Sequence, residues 1–193
     1  MKLLLARHGE TSDNSAGRYI GAHDPSLSVI GRQQARRLAT LLPAGISRCL
    51  CSPMLRARET AELALTGHDC RLEILDSLRE IHFGRWEGLS FAEIAEQDQG
   101  LIIEWQRDAL AFQFPDGENT LRFWQRVQEA LQVITALQED TVLVICHGGV
   151  IRAMLCSLLG LPFEKYLSFT VEPAALTLFD VDGQRGVLRY LNR

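Results

Sequence analysis

Residues 141–146, TVLVIC, form an apolar run of strand length that stops at His147, Gly148 and Gly149 and passes into a helical pattern reaching Leu159. This is the strongest strand signal in the chain. Residues 2–6 make a second short apolar run that reads as a buried strand, and it stops just before Arg7, His8 and Gly9. Residues 27–42 carry helical spacing up to Pro43, and residues 47–51 read as a short strand closed by Ser52 and Pro53. A helix is expected from Pro53, whose missing amide hydrogen suits a first helical turn, so that Arg56 falls on or beside that turn. Residues 72–75 read as another strand. Residues 90–138 are helical but interrupted at residues 114–117, FPDG, which predicts two helices and a turn. Residues 176–181 and 186–191 flank Asp182 and Gly183 and read as a hairpin on a sheet edge. Strands alternating with helices predict a three-layer α/β/α sandwich with a mostly parallel central sheet and an antiparallel edge strand.

Composition narrows the class. With 193 residues, 47% hydrophobic and 23% charged, the chain matches ordinary globular usage and suits a single domain over residues 1–193, with a helical insertion at about 90–138. No repeat, low-complexity tract or linker-like break interrupts it. No apolar run reaches the roughly 18 residues of a membrane span, and no cleavable signal pattern opens the chain, so the default compartment is the cytosol. Five cysteines (Cys49, Cys51, Cys70, Cys146, Cys156) with no CxxC pair read as reduced, mainly core residues. A net charge of −4 without a Lys/Arg-rich run argues against nucleic acid or an anionic membrane as partner. Any anion site must then be a local pocket. A homodimer is left open.

Ligands of open α/β sheets collect at the carboxyl ends of strands, and Arg7 with His8, Arg56, and His147 are expected at three such ends. A phosphate monoester is doubly charged near neutral pH, and planar guanidinium groups bind its oxygens bidentately. Arg7 and Arg56 suit that task. Gly9, Gly148 and Gly149 allow close backbone approach, the helix start at Gly148 offers free amide hydrogens, and His147 can add positive charge. A neutral imidazole attacks phosphorus when its other ring nitrogen donates to a fixed acceptor, which is the role assigned to His8. The leaving alkoxide needs a proton, and Glu80 is the best-placed carboxyl by position in the chain, with Glu10 and Glu87 as rivals. This chemistry needs neither a metal nor a cofactor, and its partner is a small-molecule phosphate monoester.

Five ordered segments carry a resemblance: LLLARHGETSDN, GAHDPSLSVIGRQQA, CSPMLRARETAE, LREIHFGRWEG and CHGGVIR. Together they resemble the histidine phosphatase superfamily, the phosphoglycerate mutase-like family, over nearly the whole chain. The resemblance implies a phosphate pocket of Arg7, His8, Arg56 and His147, with His8 as nucleophile and Glu80 as proton donor, and it places Asn14 and Gly21 at substrate-binding positions. Within the superfamily, FGRWEGLSFAEI, FPDGENTLRFWQRV and HGGVIRAMLCSLLGLP are most similar to α-ribazole phosphatases of cobalamin assembly, although His82 stands where an acidic residue is more usual. Broad-specificity phosphatases share most of these phrases. Mutases of the superfamily usually carry extra loop sequence closing the pocket, so a chain this short favours hydrolysis.

Other readings of the same residues stand beside this one. His23, His68 and His82 read as structural, and Arg18, Arg79 and Arg85 as solvated surface first, with reach into the pocket as the alternative for each. Arg56 has an alternative as a partner of Glu59 or Glu80, and Trp86, Trp105 and Trp124 read as core or pocket wall. Cys146 and Arg152, with five residues between them after a strand, also match the layout of cysteine-dependent phosphatases. A module that binds phosphate without turning it over is the third class. Specificity is expected in the 90–120 region and nearby loops.

Overall fold

The computed structural model describes residues 1–183 and 185–193. Strands Lys2–Arg7 (β1), Arg48–Cys51 (β2), Arg71–Ile74 (β3), Thr141–Cys146 (β4), Leu176–Asp182 (β5) and Arg185–Tyr190 (β6) form, among the described residues, one six-stranded sheet ordered β3-β2-β4-β1-β5-β6. The first four of that order run parallel, whereas β5 is antiparallel to β1 and β6 antiparallel to β5. The helices are Ser12–Ser15 (α1), Val29–Leu41 (α2), Leu55–Ala64 (α3), Phe91–Gln97 (α4), Gln99–Arg107 (α5), Thr120–Thr135 (α6) and Gly148–Leu159 (α7).

Because side chains alternate across a strand, each central strand feeds two cores. Leu3, Leu5, Val142, Val144 and Cys146 pack with Phe123, Val127 and Ile134 of α6 and Val150, Ile151 and Met154 of α7. Leu4, Ala6, Leu143, Ile145, Cys49 and Cys51 pack on the opposite face with Leu38 of α2 and Ala57, Ala61 and Ala64 of α3. These are the three layers the alternation of strands and helices predicts. The small residues of α3 let that helix lie close to the sheet, which brings Arg56 against the strand ends.

Three expectations need correction. Residues 90–138 hold three helices where two were expected. The extra break falls at Asp98, whose carboxylate takes the Trp86 indole hydrogen at 2.8 Å and the Arg85 guanidinium at 2.6 Å, a tertiary pull that overrides the helical periodicity. The interruption at residues 114–117 is a turn with Asp116 at φ 57°, closed by a bridge between Gln113 and Asn119. Pro53 does not open a helix: Met54 is the N-cap and α3 starts at Leu55, so Pro53 lies just outside it. The third strand runs one residue earlier than its apolar centre suggested, because Arg71 pairs with Arg48 in register.

Leu143 is fully buried at the centre of the sheet, and Leu143→Ala should lower unfolding free energy by about 3 kcal/mol through lost burial and a residual cavity. For a chain this size that corresponds to a thermal midpoint lower by roughly 6–12 °C, read by circular dichroism. Val29, 76% exposed, is the contrast: Val29→Ala should leave the midpoint unchanged within error.

Candidate active site

Pairing of β1 with β4 sets Arg7 opposite Cys146, and the pairing continues one step further as the His8 amide donates to the Cys146 carbonyl at 2.9 Å. His8 and His147 therefore leave the sheet side by side, their ring centroids 5.2 Å apart. On the other side of β4, β2 pairs Cys51 with Ile145, and the Ser52 amide donates to the Ile145 carbonyl at 3.0 Å. This sets the Ser52 hydroxyl 2.7 Å from His147 Nε2. Three parallel strand ends thus deliver His8, His147 and Ser52 to one place, and α3 adds Arg56.

His8 Nδ1 lies 2.7 Å from the Gly9 carbonyl, an acceptor only, so Nδ1 carries the hydrogen and Nε2 carries the lone pair. Burial, then the positive charges of Arg56 and Arg7, hold the His8 imidazole well below its ordinary range despite that hydrogen bond. His147 is held well below its ordinary range by burial, then Arg56, His8, Arg7 and Arg126. The expectation that His147 adds a positive charge is therefore not met by the protein's own electrostatics. An anion beside the ring would oppose the neighbouring positive charges and favour the charged imidazole. Its Nδ1 has no hydrogen-bond partner among the described residues.

Arg7 donates from Nη1 to the Val171 carbonyl at 2.7 Å, and its Nε is buried without a partner. Arg56 is fully buried; it donates to the carbonyls of Gly21 and His23 at 3.0 and 2.9 Å and to Asp24 at 3.3 Å, again with Nε unpartnered. It pairs with neither Glu59 nor Glu80. Burial lowers both guanidinium groups from their ordinary value, with Glu80 opposing. Glu80 accepts the Gly149 amide at 2.8 Å and its neighbour Ile81's amide at 3.1 Å. An added Cβ on Gly149 would lie 2.2 Å from the Glu80 carboxylate and 2.6 Å from the Tyr166 hydroxyl, so glycine is what lets the carboxylate approach α7.

Arg7, His8, Asn14, Glu80, Gly148 and Gly149 line a cavity of about 470 Å³, with Tyr19, Phe83, Trp105, Phe114, Phe123 and Phe163 as aromatic wall. Arg56 and His147 lie behind that surface, both fully buried. Asn14 belongs to the capping box of α1, taking the Thr11 amide at 2.8 Å, while its Nδ2 is buried and unpartnered. Gly21 does not line the cavity: a Cβ there would strike the Ile81 carbonyl at 1.8 Å, and its own carbonyl serves Arg56. The rivals of Glu80 are engaged elsewhere, Glu10 with Ser28, and Glu87 with the amides of Gly21, Ala22, His23 and Phe83.

Of the three arginines with an alternative reach into the pocket, Arg18 lines the cavity while bonding Gly88 and Glu93, whereas Arg79 and Arg85 pair with acidic residues in exposed positions. Sequence reasoning also passed over Tyr166, Phe163 and Arg152 as cavity lining. Ser52 was legible, because it ends a strand just as His8 and His147 do. Cys146 is buried in the core with its thiol pushed well above the ordinary range by burial and then Glu80. Arg152 sits inside α7 and donates to the Phe169 carbonyl, so no loop from Cys146 cradles an anion.

The fold and these clustered side chains define a phosphate-handling α/β enzyme, and comparison with known proteins gives its family. Residues 3–193 match the model of the histidine phosphatase superfamily (branch 1), and the chain belongs to that family. It is a phosphatase. It is 34% identical over 194 residues to an adenosylcobalamin/alpha-ribazole phosphatase of Salmonella typhimurium, covering 100% of this chain and 96% of that one. It is 32% identical to phosphoserine phosphatase 1 of Hydrogenobacter thermophilus, over 100% of this chain and 92% of that one. The crystal structure of the alpha-ribazole phosphatase from Shigella flexneri superposes with a TM-score of 0.91 at 31% identity, covering 100% of this chain and 96% of the other. No helix among the described residues is long and apolar enough to cross a membrane.

Both depressed imidazoles can be followed by NMR. The His8 and His147 ring protons should titrate with midpoints below the ordinary 6.5, and a midpoint at or above it contradicts the site electrostatics. Since the unfolded chain then binds more protons than the folded one, stability should be full above about pH 6.5 and fall as pH drops toward the folded midpoints, by up to about 1.4 kcal/mol per pH unit for each histidine.

Proposed function

We propose that the chain hydrolyses phosphate monoesters through a phosphohistidine at His8 Nε2, with α-ribazole 5′-phosphate as its preferred substrate. The observation that carries the mechanism is the Nδ1 contact of His8 with the Gly9 carbonyl, which supports an Nε2 lone pair on a ring held neutral. In the first step Nε2 attacks phosphorus, the bond to the ester oxygen breaks, and Glu80 gives its proton to the departing alkoxide. In the second, water attacks the phosphohistidine as Glu80 takes a proton from it, releasing inorganic phosphate and restoring His8. The unpartnered hydrogens of Arg7 Nε and Arg56 Nε and the free Nδ1 of His147 suit the equatorial oxygens of the transferring group, and removing one such donor typically costs about a hundredfold in turnover. Asn14 and the amide of Gly148 are assigned to the same anion. Gly21 acts at one remove, through Arg56.

The choice of substrate rests on the similarity to alpha-ribazole phosphatases and on the wall of Tyr19, Phe83, Trp105 and Phe114, which suits an aromatic base better than a small zwitterion. The phosphoserine phosphatase relative supports a second reading, and a broad-specificity phosphatase a third.

Turnover of α-ribazole 5′-phosphate, phosphoserine and p-nitrophenyl phosphate by wild type, His8→Ala and Cys146→Ser separates these. The expected result is loss of all turnover in His8→Ala alone, indifference to EDTA, and a preference of about tenfold or more in kcat/KM, worth 1.4 kcal/mol, for the ribazole ester. A dead Cys146→Ser, or strict dependence on a divalent metal, overturns the mechanism. Absence of turnover of all three esters removes α-ribazole 5′-phosphate as the substrate, and equal rates on all three replace it with broad specificity.

A further inference from the structure

Glu80 lies in a stretch with no ladder or helix of its own, residues 79–83, and among the described residues its carboxylate accepts hydrogen bonds from the Gly149 and Ile81 amides and from no side chain. Its position must come from its backbone. Arg126, from the second turn of α6, grips that backbone at Glu80 and just before it. Arg126 Nη1 donates to the carbonyls of Ser77 at 2.9 Å and Arg79 at 2.7 Å, and Nη2 to the carbonyl of Glu80 itself at 3.1 Å. The remaining hydrogens of Nε and Nη2 go to Glu118 in a two-pronged ion pair, both at 2.8 Å. All five guanidinium hydrogens are used, a pattern that no lysine reproduces.

Glu118 completes the clamp from the far side. Its amide donates to the His82 carbonyl at 2.8 Å, and its carboxylate receives the His82 amide at 3.3 Å. The guanidinium also rests 4.9 Å from the centre of the Phe123 ring, part of the cavity wall. Residues 77–82 are thus fastened at both ends of Glu80 to α6 and the turn before it.

We infer that Arg126, braced by Glu118, is the positioning residue that sets Glu80 at the distance from His8 and the leaving oxygen that proton transfer requires. This rests on the reading of Glu80 as the proton donor. Misplacement of a catalytic group by about 1 Å is enough to cost about a hundredfold. Because a proton donor matters only when the departing oxygen is basic, the signature is selective. An alkyl phosphate needs the proton, whereas 2,4-dinitrophenyl phosphate expels a stable anion without it.

The test is the first-turnover rate of phosphoenzyme formation, by rapid quench, with an alkyl phosphate and with 2,4-dinitrophenyl phosphate, in wild type, Arg126→Met, Glu118→Gln and Glu80→Gln. Arg126→Met is expected to slow the alkyl ester by about ten- to a hundredfold and the dinitrophenyl ester little, in the pattern of Glu80→Gln. Glu118→Gln, which keeps the three carbonyl contacts, should show the same selectivity with smaller size, and it decides the matter if Arg126→Met does not fold. Equal slowing of both esters by the clamp variants, or no slowing, overturns the assignment. If Glu80→Gln itself shows no selectivity, the proton-donor reading is what has failed, and the role of Arg126 falls with it.

Discussion

The site depends on one constraint, the in-register parallel pairing of β1 with β4. Once Arg7 is opposite Cys146, the next residue of each strand must leave the sheet together, and both are histidines. The same register on the other edge of β4 delivers Ser52 to His147. The apolar side chains that fix this register are shared between two cores, so the chemistry is set by the same packing that stabilises the domain.

Burial has opposite consequences for the groups collected there. It drives the imidazoles toward neutrality, which gives His8 a usable lone pair, while the guanidinium groups stay charged because their ordinary value is so high. Arg7 and Arg56 then depress the histidines further. Their carbonyl and carboxylate partners orient them, and the Nε atoms left over have no partner among the described residues. A doubly charged phosphate is complementary to such an arrangement on both counts: it supplies acceptors to stranded donors and negative charge to a positive, poorly solvated place.

The strands, and the residues at their ends, were legible because an apolar run and the polar residue that stops it are adjacent in sequence. The same logic located Arg7, His8 and His147, and a helix beginning after a strand located Arg56. What escaped depends on distance in sequence. Arg126 reads as one more polar residue on a helix face, and only the fold shows that it reaches carbonyls 46 to 49 positions earlier. Asp98 interrupts a helix for the sake of Arg85 and Trp86, a choice no local pattern encodes. The neutrality of His147 follows from what surrounds it on every side, and Tyr166 and Phe163 reach the cavity from a short 3₁₀ segment that carries no periodic signal.

The Gly9 carbonyl fixes the hydrogen on Nδ1 of His8, and the proposed attack through Nε2 depends on it. The direct measurement is NMR of the trapped phosphoenzyme prepared with ¹⁵N-labelled histidine, which identifies the nitrogen bonded to phosphorus. The expected result is phosphorus on Nε2 of His8. Phosphorus on Nδ1, on another residue, or on no residue during turnover would contradict it.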